Sequence, residues 1–438
     1  MADTQRPLLL RLPQEMHNAM CKYLPSRALG NLRRANREIH GKTQQPFVER
    51  HFTSMEITLS RKKLQHLLDV SMSLYADEVR TIVVEPRELL GYDFPVHHTD
   101  ADLKMKEVQE RRKFSEEGED VSMLRDAIQR FRKLERVQVA HYEDSREFQN
   151  HRLEPTYCLV TSRLMREKTT ALSHAFSVVS RALHKARSTS IKTLCAGARP
   201  HASKRSSIGH LDLGLPPPSY HQGIMGRPSI HNGLTNLEHI HLVLETTPNS
   251  WGGEQGQTLL SDFLAQAPNL KSLRLEFWGS CAEWLSTTLT TLTFPHLETL
   301  NLEAARNLTT THLSAFIARH ARTLRTLSLI NLTFSSPDLL TTFPPIFQTP
   351  NLHLKTIRLQ QITAQRDGLL LFDAQGVITT CEACKADLEA NWRFEPGPIC
   401  PHGNLEVTSG EEETGRELVA RLGEPEILPW MVLRTLCF

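Results

Sequence analysis

Five short stretches decide how this chain folds: LEHIHL (237–242), LKSLRL (270–275), LETLNL (297–302), LRTLSL (324–329) and LKTIRL (354–359). Each is a hexad with apolar residues at its first, fourth and sixth positions, and successive hexads start 33, 27, 27 and 30 residues apart. Side chains of a strand point to opposite faces in turn, so Leu273 and Leu275 go to a core while Ser272, Arg274 and Glu276 go the other way. Weaker copies lie upstream at VRTIVV (79–84), LERVQV (134–139) and IKTLCA (191–196), at longer intervals that must hold insertions. Eight candidate strands result.

Between them lie stretches with helical spacing, LLSDFLAQA (259–267) and HLSAFIARHA (312–321). Strands separated by helices pair in parallel. A recurring hexad of this form is the strand pattern of a leucine-rich repeat, whose undecorated period is about 20–29 residues. The expected fold class is therefore α/β, a solenoid with parallel strands on its concave face and helices outside. The alternative is a doubly wound parallel sheet, which needs no recurring hexad. Alternation predicts a polar panel of His239, His241, Ser272, Arg274, Glu276, Thr299, Asn301, Glu303, Thr326, Ser328, Thr356, Arg358 and Gln360, a surface suited to another protein.

Charge and motif content narrow the function. Basic and acidic residues number 51 and 49, so no global field draws in nucleic acid or an anionic membrane, and the panel mixes Arg274 and Arg358 with Glu276 and Glu303. No window reaches the roughly 18 apolar residues of a membrane span. The N-terminal apolar run is short and broken by Arg11, which does not suit a secretory signal; with eight scattered cysteines, a reduced compartment, cytoplasm or nucleus, is expected. No phosphate-binding glycine loop, Gly-x-Ser-x-Gly elbow or His-Glu-x-x-His helix occurs, so no catalytic residue and no cofactor is expected. Cys381, Cys384, Cys400 and His402 have the residue types of a structural zinc site, but their closing Cys-x-His pair is one residue shorter than the usual Cys-x-x-Cys; reduced structural cysteines are the alternative. Residues 91–121, charged with mixed sign, and 197–233, rich in Pro, Ser and Gly, read as loops inserted into the repeats.

The N-terminal stretch LLLRLPQEMHNAMCKYLPSRALGNLRRANREIHGK (8–42) reads as two amphipathic helices. Leu12, Met16, Met20 and Leu24, with Ala19 and Tyr23, form one apolar stripe. Pro25 stops that helix, and Ser26 is placed to cap a second, with Leu29, Leu32, Ala35 and Ile39, ending near Gly41. A third segment follows Pro46 with Phe47, Val48 and Phe52.

The spaced set LPQEM, YLPSRAL and the arginines that follow resembles the F-box. The resemblance covers about the first 50 residues, and the continuation is similar to F-box and repeat proteins of filamentous fungi. It implies docking on a Skp-type adaptor, and so membership of an SCF-type cullin-RING ubiquitin ligase as the substrate-receptor subunit, with the repeats binding a protein substrate. On this resemblance Leu12, Pro13, Met16, Met20, Leu24, Pro25, Leu29 and Leu32 match the adaptor-binding positions. His17, Ala28, Asn36 and Ile39 depart from its usual residues. Two alternatives are that residues 8–52 only cap the solenoid, and that the chain is a scaffold outside any ligase. The implied organisation is a helical domain over 1–52, a repeat domain over 53–370, and an extension and cap over 371–438.

Overall fold

The computed structural model describes residues 8–86, 109–110, 113–139, 157–188, 190–197, 234–246, 260–279, 282–335, 349–364, 368–372, 378–380 and 404–408. The insert from 198 to 233, and Cys381, Cys384, Cys400 and His402, lie outside the described residues.

Five short helices open the chain: α1 (Leu8–Arg11), α2 (Gln14–Tyr23), α3 (Ser26–Ala35), α4 (Arg37–Lys42) and α5 (Gln44–His51). Pro13 and Pro25 stand at the starts of α2 and α3. Each gives its carbonyl to the first turn, accepting from the His17 and Leu29 amides respectively. Ser26, expected as a cap, is instead the first helical residue, because the fixed φ of Pro25 already sets the entry. The expected run to Gly41 breaks at Asn36, whose extended backbone and side-chain oxygen, accepting from the Glu38 and Ile39 amides, start α4 afresh.

After these helices the chain forms nine strands that pair in parallel, each with its neighbour in sequence: β1 (Ser54–Thr58), β2 (Thr81–Glu85), β3 (Arg136–Val139), β4 (Thr193–Ala196), β5 (His239–Thr246), β6 (Ser272–Gly279), β7 (Thr299–Glu303), β8 (Thr326–Phe334) and β9 (Thr356–Ala364). β2 to β9 fall on the eight hexads. β1 is a ninth strand beyond the eight expected; FTSMEI (52–57) has the same apolar spacing, but its Phe52 also closes α5. Helices occupy the crossovers: α6 (Arg61–Ser71), α7 (Glu119–Arg130), α8 (Tyr157–Ala186), α9 (Ala282–Thr291) and α10 (Thr310–His320). The architecture is α/β and compatible with a solenoid-like fold.

Register explains the core. The fourth hexad position runs straight across the sheet as Met55, Ile82, Val137, Leu194, Ile240, Leu273, Leu300, Leu327 and Ile357, all buried in one continuous cluster with the helices. The far edge of β9 is covered on both halves: β10 (Gly368–Phe372) and β12 (Asn404–Thr408) pair antiparallel with it, and β11 (Ile378–Thr380) pairs with β10. Such cover removes an open row of amides and carbonyls that would otherwise recruit foreign strands.

The end of the first charged insert is not a solvated loop. Within 113–121, Phe114 and Val121 enter the core, and Ser115 and Asp120 are buried as well. The Ser115 hydroxyl donates to Asp120 Oδ2 at 2.8 Å and lies 3.2 Å from His174 Nε2, so polar groups are buried here with partners. This trio ties α7 to α8.

The second hexad position carries a further pattern. Arg80, Glu135, Lys192, Glu238, Lys271, Glu298 and Arg325 alternate in sign, and Lys355 ends the series. Each donates its backbone N–H to the carbonyl of the one before it, from Glu135 on Arg80 to Lys355 on Arg325. Side chains pair across the steps: Arg80 with Glu135 at 2.9 Å, and Glu238 with Lys192 at 3.1 Å and Lys271 at 2.8 Å. Exposed pairs of this kind stabilise by only about 0.2–1 kcal/mol each. Their consequence is strand order, since pairing a strand with its next-but-one neighbour would set like charges together.

Candidate functional site

Two surfaces come from the predicted residues. The first is built by α2 and α3. His17 and Cys21 are the fully buried residues of α2, while Met16 of the apolar stripe is 54% and Tyr23 89% exposed. The reason lies in α5. Arg50 sends its guanidinium to the carbonyls of Cys21, Lys22 and Leu24, taking the unpaired acceptors at the C-terminus of α2. Lys42 does the same for α1, donating to Leu10 and Leu12 carbonyls at 2.6 and 3.2 Å. These contacts hold α2 with the His17 and Cys21 side inward.

Of the eight positions carried by the resemblance, Pro13, Met16 and Pro25 are exposed, Leu12, Met20, Leu24 and Leu32 are half-buried, and only Leu29 is buried. Leu29 therefore belongs to the interior of the helical unit, beside Arg33 and Ile39, and is not part of its outer face. Arg33 is held by the Thr43 carbonyl at 3.1 Å and Gln44 Oε1 at 2.6 Å, with its guanidinium 4.0 Å from the centre of the Phe47 ring. A charged group thus shares this interior with Leu29 and Ile39.

The second surface is the sheet face opposite the helices. All thirteen panel residues stand on it, in three register rows. One runs Ser54, Thr81, Arg136, Thr193, His239, Ser272, Thr299, Thr326, Thr356; the next Glu56, Val83, Gln138, Cys195, His241, Arg274, Asn301, Ser328, Arg358; the third carries Glu276, Glu303 and Gln360. The panel is less open than expected. Glu276 is 7% and Ser328 8% exposed, and of the thirteen only His239 is exposed. Flat neighbours about 4.8 Å apart shield one another, so alternation fixes the face but not its accessibility.

Arg274 organises the middle of this panel. It holds Glu303 at 2.9 Å and lies 4.0 Å from Glu276. His241, next to it, is kept neutral: burial, with Arg274 and Arg136 nearby, lowers its pKa from 6.5 to about 3. Arg136 reaches to 3.5 Å from the Cys195 sulfur, and burial raises that thiol above its ordinary value. Sequence reasoning took the panel from β5 onward and missed its extension through β1 to β4; the upstream hexads held that signal.

The trio of Ser115, Asp120 and His174 has the residue types of a hydrolytic site but another geometry. The serine, not the histidine, sits between the other two; the His174–Asp120 separation is 3.8 Å, and all three are closed to solvent. Burial raises the Asp120 pKa. No group of three or more His, Cys, Asp or Glu among the described residues is arranged for a metal ion, and no described helix is long and apolar enough to cross a membrane. Comparison with protein-family models finds none that matches the chain, and comparison with curated proteins finds no match either.

Proposed function

We propose that this chain is a substrate-receptor subunit of an SCF-type cullin-RING ubiquitin ligase, with an F-box-like N-terminal unit that docks on a Skp-type adaptor and leucine-rich repeats that hold a protein substrate. The observation that carries the reading is the inverted helix α2: Met16 and Tyr23 stand in solvent while His17 and Cys21 fill the interior. An amphipathic helix with its apolar side outward is arranged to bind. The sheet supplies a second, separate surface about which the same statement holds in polar terms. Ligation chemistry would come from the rest of the complex; the chain contributes effective concentration by holding substrate near the conjugating enzyme.

The test is capture of the full chain by the adaptor and cullin, beside a Leu12→Ala/Pro13→Ala/Leu24→Ala variant. Loss of both partners in a variant that still folds is the expected result. Absence of capture by the unmodified chain would overturn the ligase reading and leave the repeat scaffold outside a ligase, which the departures at His17, Ala28, Asn36 and Ile39 favour.

A further inference from the structure

Helix α3, SRALGNLRRA, carries two charges that the fold does not use. Arg27 and Arg34 stand exposed seven residues apart, so they share one side of the helix, away from the buried Leu29 and Arg33. Their Cα atoms are separated by about 10 Å along its axis. Among the described residues neither makes an ion pair or a hydrogen bond, and α3 has no acidic residue to offer one. Arg34 lies in the last turn, where the helix dipole favours a cation, but Arg27 lies in the first turn, where the dipole opposes one. Arg33 and Arg50, by contrast, are taken up by carbonyls inside the helical unit.

Gly30 sits between the two arginines, three residues after one and four before the other, on the same surface row. A glycine inside a helix weakens it relative to alanine. Nothing within the chain asks for it here: its backbone is helical without a positive φ, and a Cβ added to it would meet no neighbouring atom within 4 Å. The outward side of α3 is therefore a shallow saddle flanked by two unpaired guanidinium groups.

We propose that this saddle docks a carboxylate-rich segment of a protein partner, which crosses α3 at Gly30 and sets one acidic side chain on Arg27 and another on Arg34. Each arginine fork can take a carboxylate by two hydrogen bonds, and the missing Cβ lets the crossing backbone approach closely. Charge favours a protein segment over a longer polyanion. Residues 1–52 hold nine Lys and Arg against four Asp and Glu, whereas the rest of the chain holds 42 against 45. A nucleic acid or an anionic membrane extending past the helical unit gains no further net attraction there. The inference does not depend on the ligase reading and is tested without the adaptor.

Fluorescein-labelled decaglutamate is titrated into the full-length protein and followed by anisotropy, with unlabelled decathymidylate and phosphatidylserine vesicles as competitors. The expected result is saturable binding that weakens as salt rises, with each competitor at least about tenfold less effective per charge than unlabelled decaglutamate. Arg27→Gln/Arg34→Gln should lose about tenfold or more in affinity. Gly30→Met should lose a similar factor while its thermal midpoint stays level or rises, because the new side chain fills the saddle and favours the helix. Absence of saturable binding, full affinity in either variant, or displacement by the nucleotide or the vesicles as effective as by decaglutamate overturns the proposal. So does a fall in the midpoint of Gly30→Met, which would give the glycine a reason inside the fold.

Discussion

Two enclosed histidines, one in the N-terminal helical unit and one beside the sheet, differ in their surroundings. His320, on α10, accepts from the Phe294 amide at Nε2 (2.9 Å), and its Nδ1 lies 2.7 Å from the Phe316 carbonyl, which fixes the hydrogen on Nδ1. His17, on α2, is as deeply buried, and neither ring nitrogen has a hydrogen-bond partner among the described residues. The sheet has apolar rows inside and paired charges along one end of its strands, although His241 Nε2, Arg274 Nε and Asn301 Oδ1 on its polar face lack partners among the described residues. The helical unit buries an unpaired His17 together with Cys21, Leu29 and Ile39, while Met16 and Tyr23 stand outside. That contrast sets a body packed on leucine rows against a helical unit that exposes apolar side chains.

The largest effect should come from the body. Leu300 is fully buried at the centre of the register row between Leu273 and Leu327. Leu300→Ala should cost about 2–5 kcal/mol, read as a fall in the urea midpoint. A loss below about 1 kcal/mol would mean that the leucine rows are not a packed core, and the contrast would collapse.

Next come the histidines, which should respond with opposite signs. His17→Leu removes two unpaired nitrogens and should stabilise by about 1–3 kcal/mol. His320→Leu leaves the buried Phe294 amide without its acceptor and should destabilise by a similar amount. Thermal unfolding of both variants checks the pair. Equal signs would show that the helical unit is as internally complete as the sheet.

Acid should separate two groups of the sheet by pH window. Glu238 donates nothing and accepts from both Lys271 and Lys192, which pulls its carboxyl from 4.5 down to about 2. A depressed acid contributes its stability above the unfolded pKa and loses it as pH falls from about 4.5 toward 2. His241, lowered to about 3, favours the fold while neutral and loses that contribution earlier, as pH falls from 6.5 toward 3. Glu238→Gln should flatten the lower part of a stability–pH curve and His241→Gln the upper part. A curve unchanged in either variant would break the assignment for that group.

Much of this body was legible in the sequence because a strand has a two-residue period and the hexad repeats it. Register followed from the leucines, and with it the face of every panel residue. What escaped had physical causes. Phe52 serves both the end of the helical unit and the first hexad position, so β1 was hidden. The sign alternation from Arg80 to Arg325 is invisible in any one hexad and appears only when strands 27 to about 57 residues apart are laid side by side. The mixed charges before α7 gave no warning that Ser115 and Asp120 would be buried together with His174 from about 59 residues away. The inward turn of His17 was unreadable for a plainer reason: periodicity finds an apolar stripe but does not say whether the stripe faces a core or a partner.

The smallest expected effect on folding is therefore the sharpest test of the helical unit. Met16→Ser and Tyr23→Ser remove apolar surface that is already in water, so each should leave the urea midpoint within about 0.5 kcal/mol of the unmodified chain. Adaptor capture should nevertheless weaken, because apolar area lost from an interface is lost at about 25 cal/mol per Å² whether or not it helps the free protein. A variant that loses stability places these side chains in the interior and removes the inversion of α2. One that keeps both stability and capture shows that the outward stripe is surface without an occupant, and docking must then be sought on the sheet.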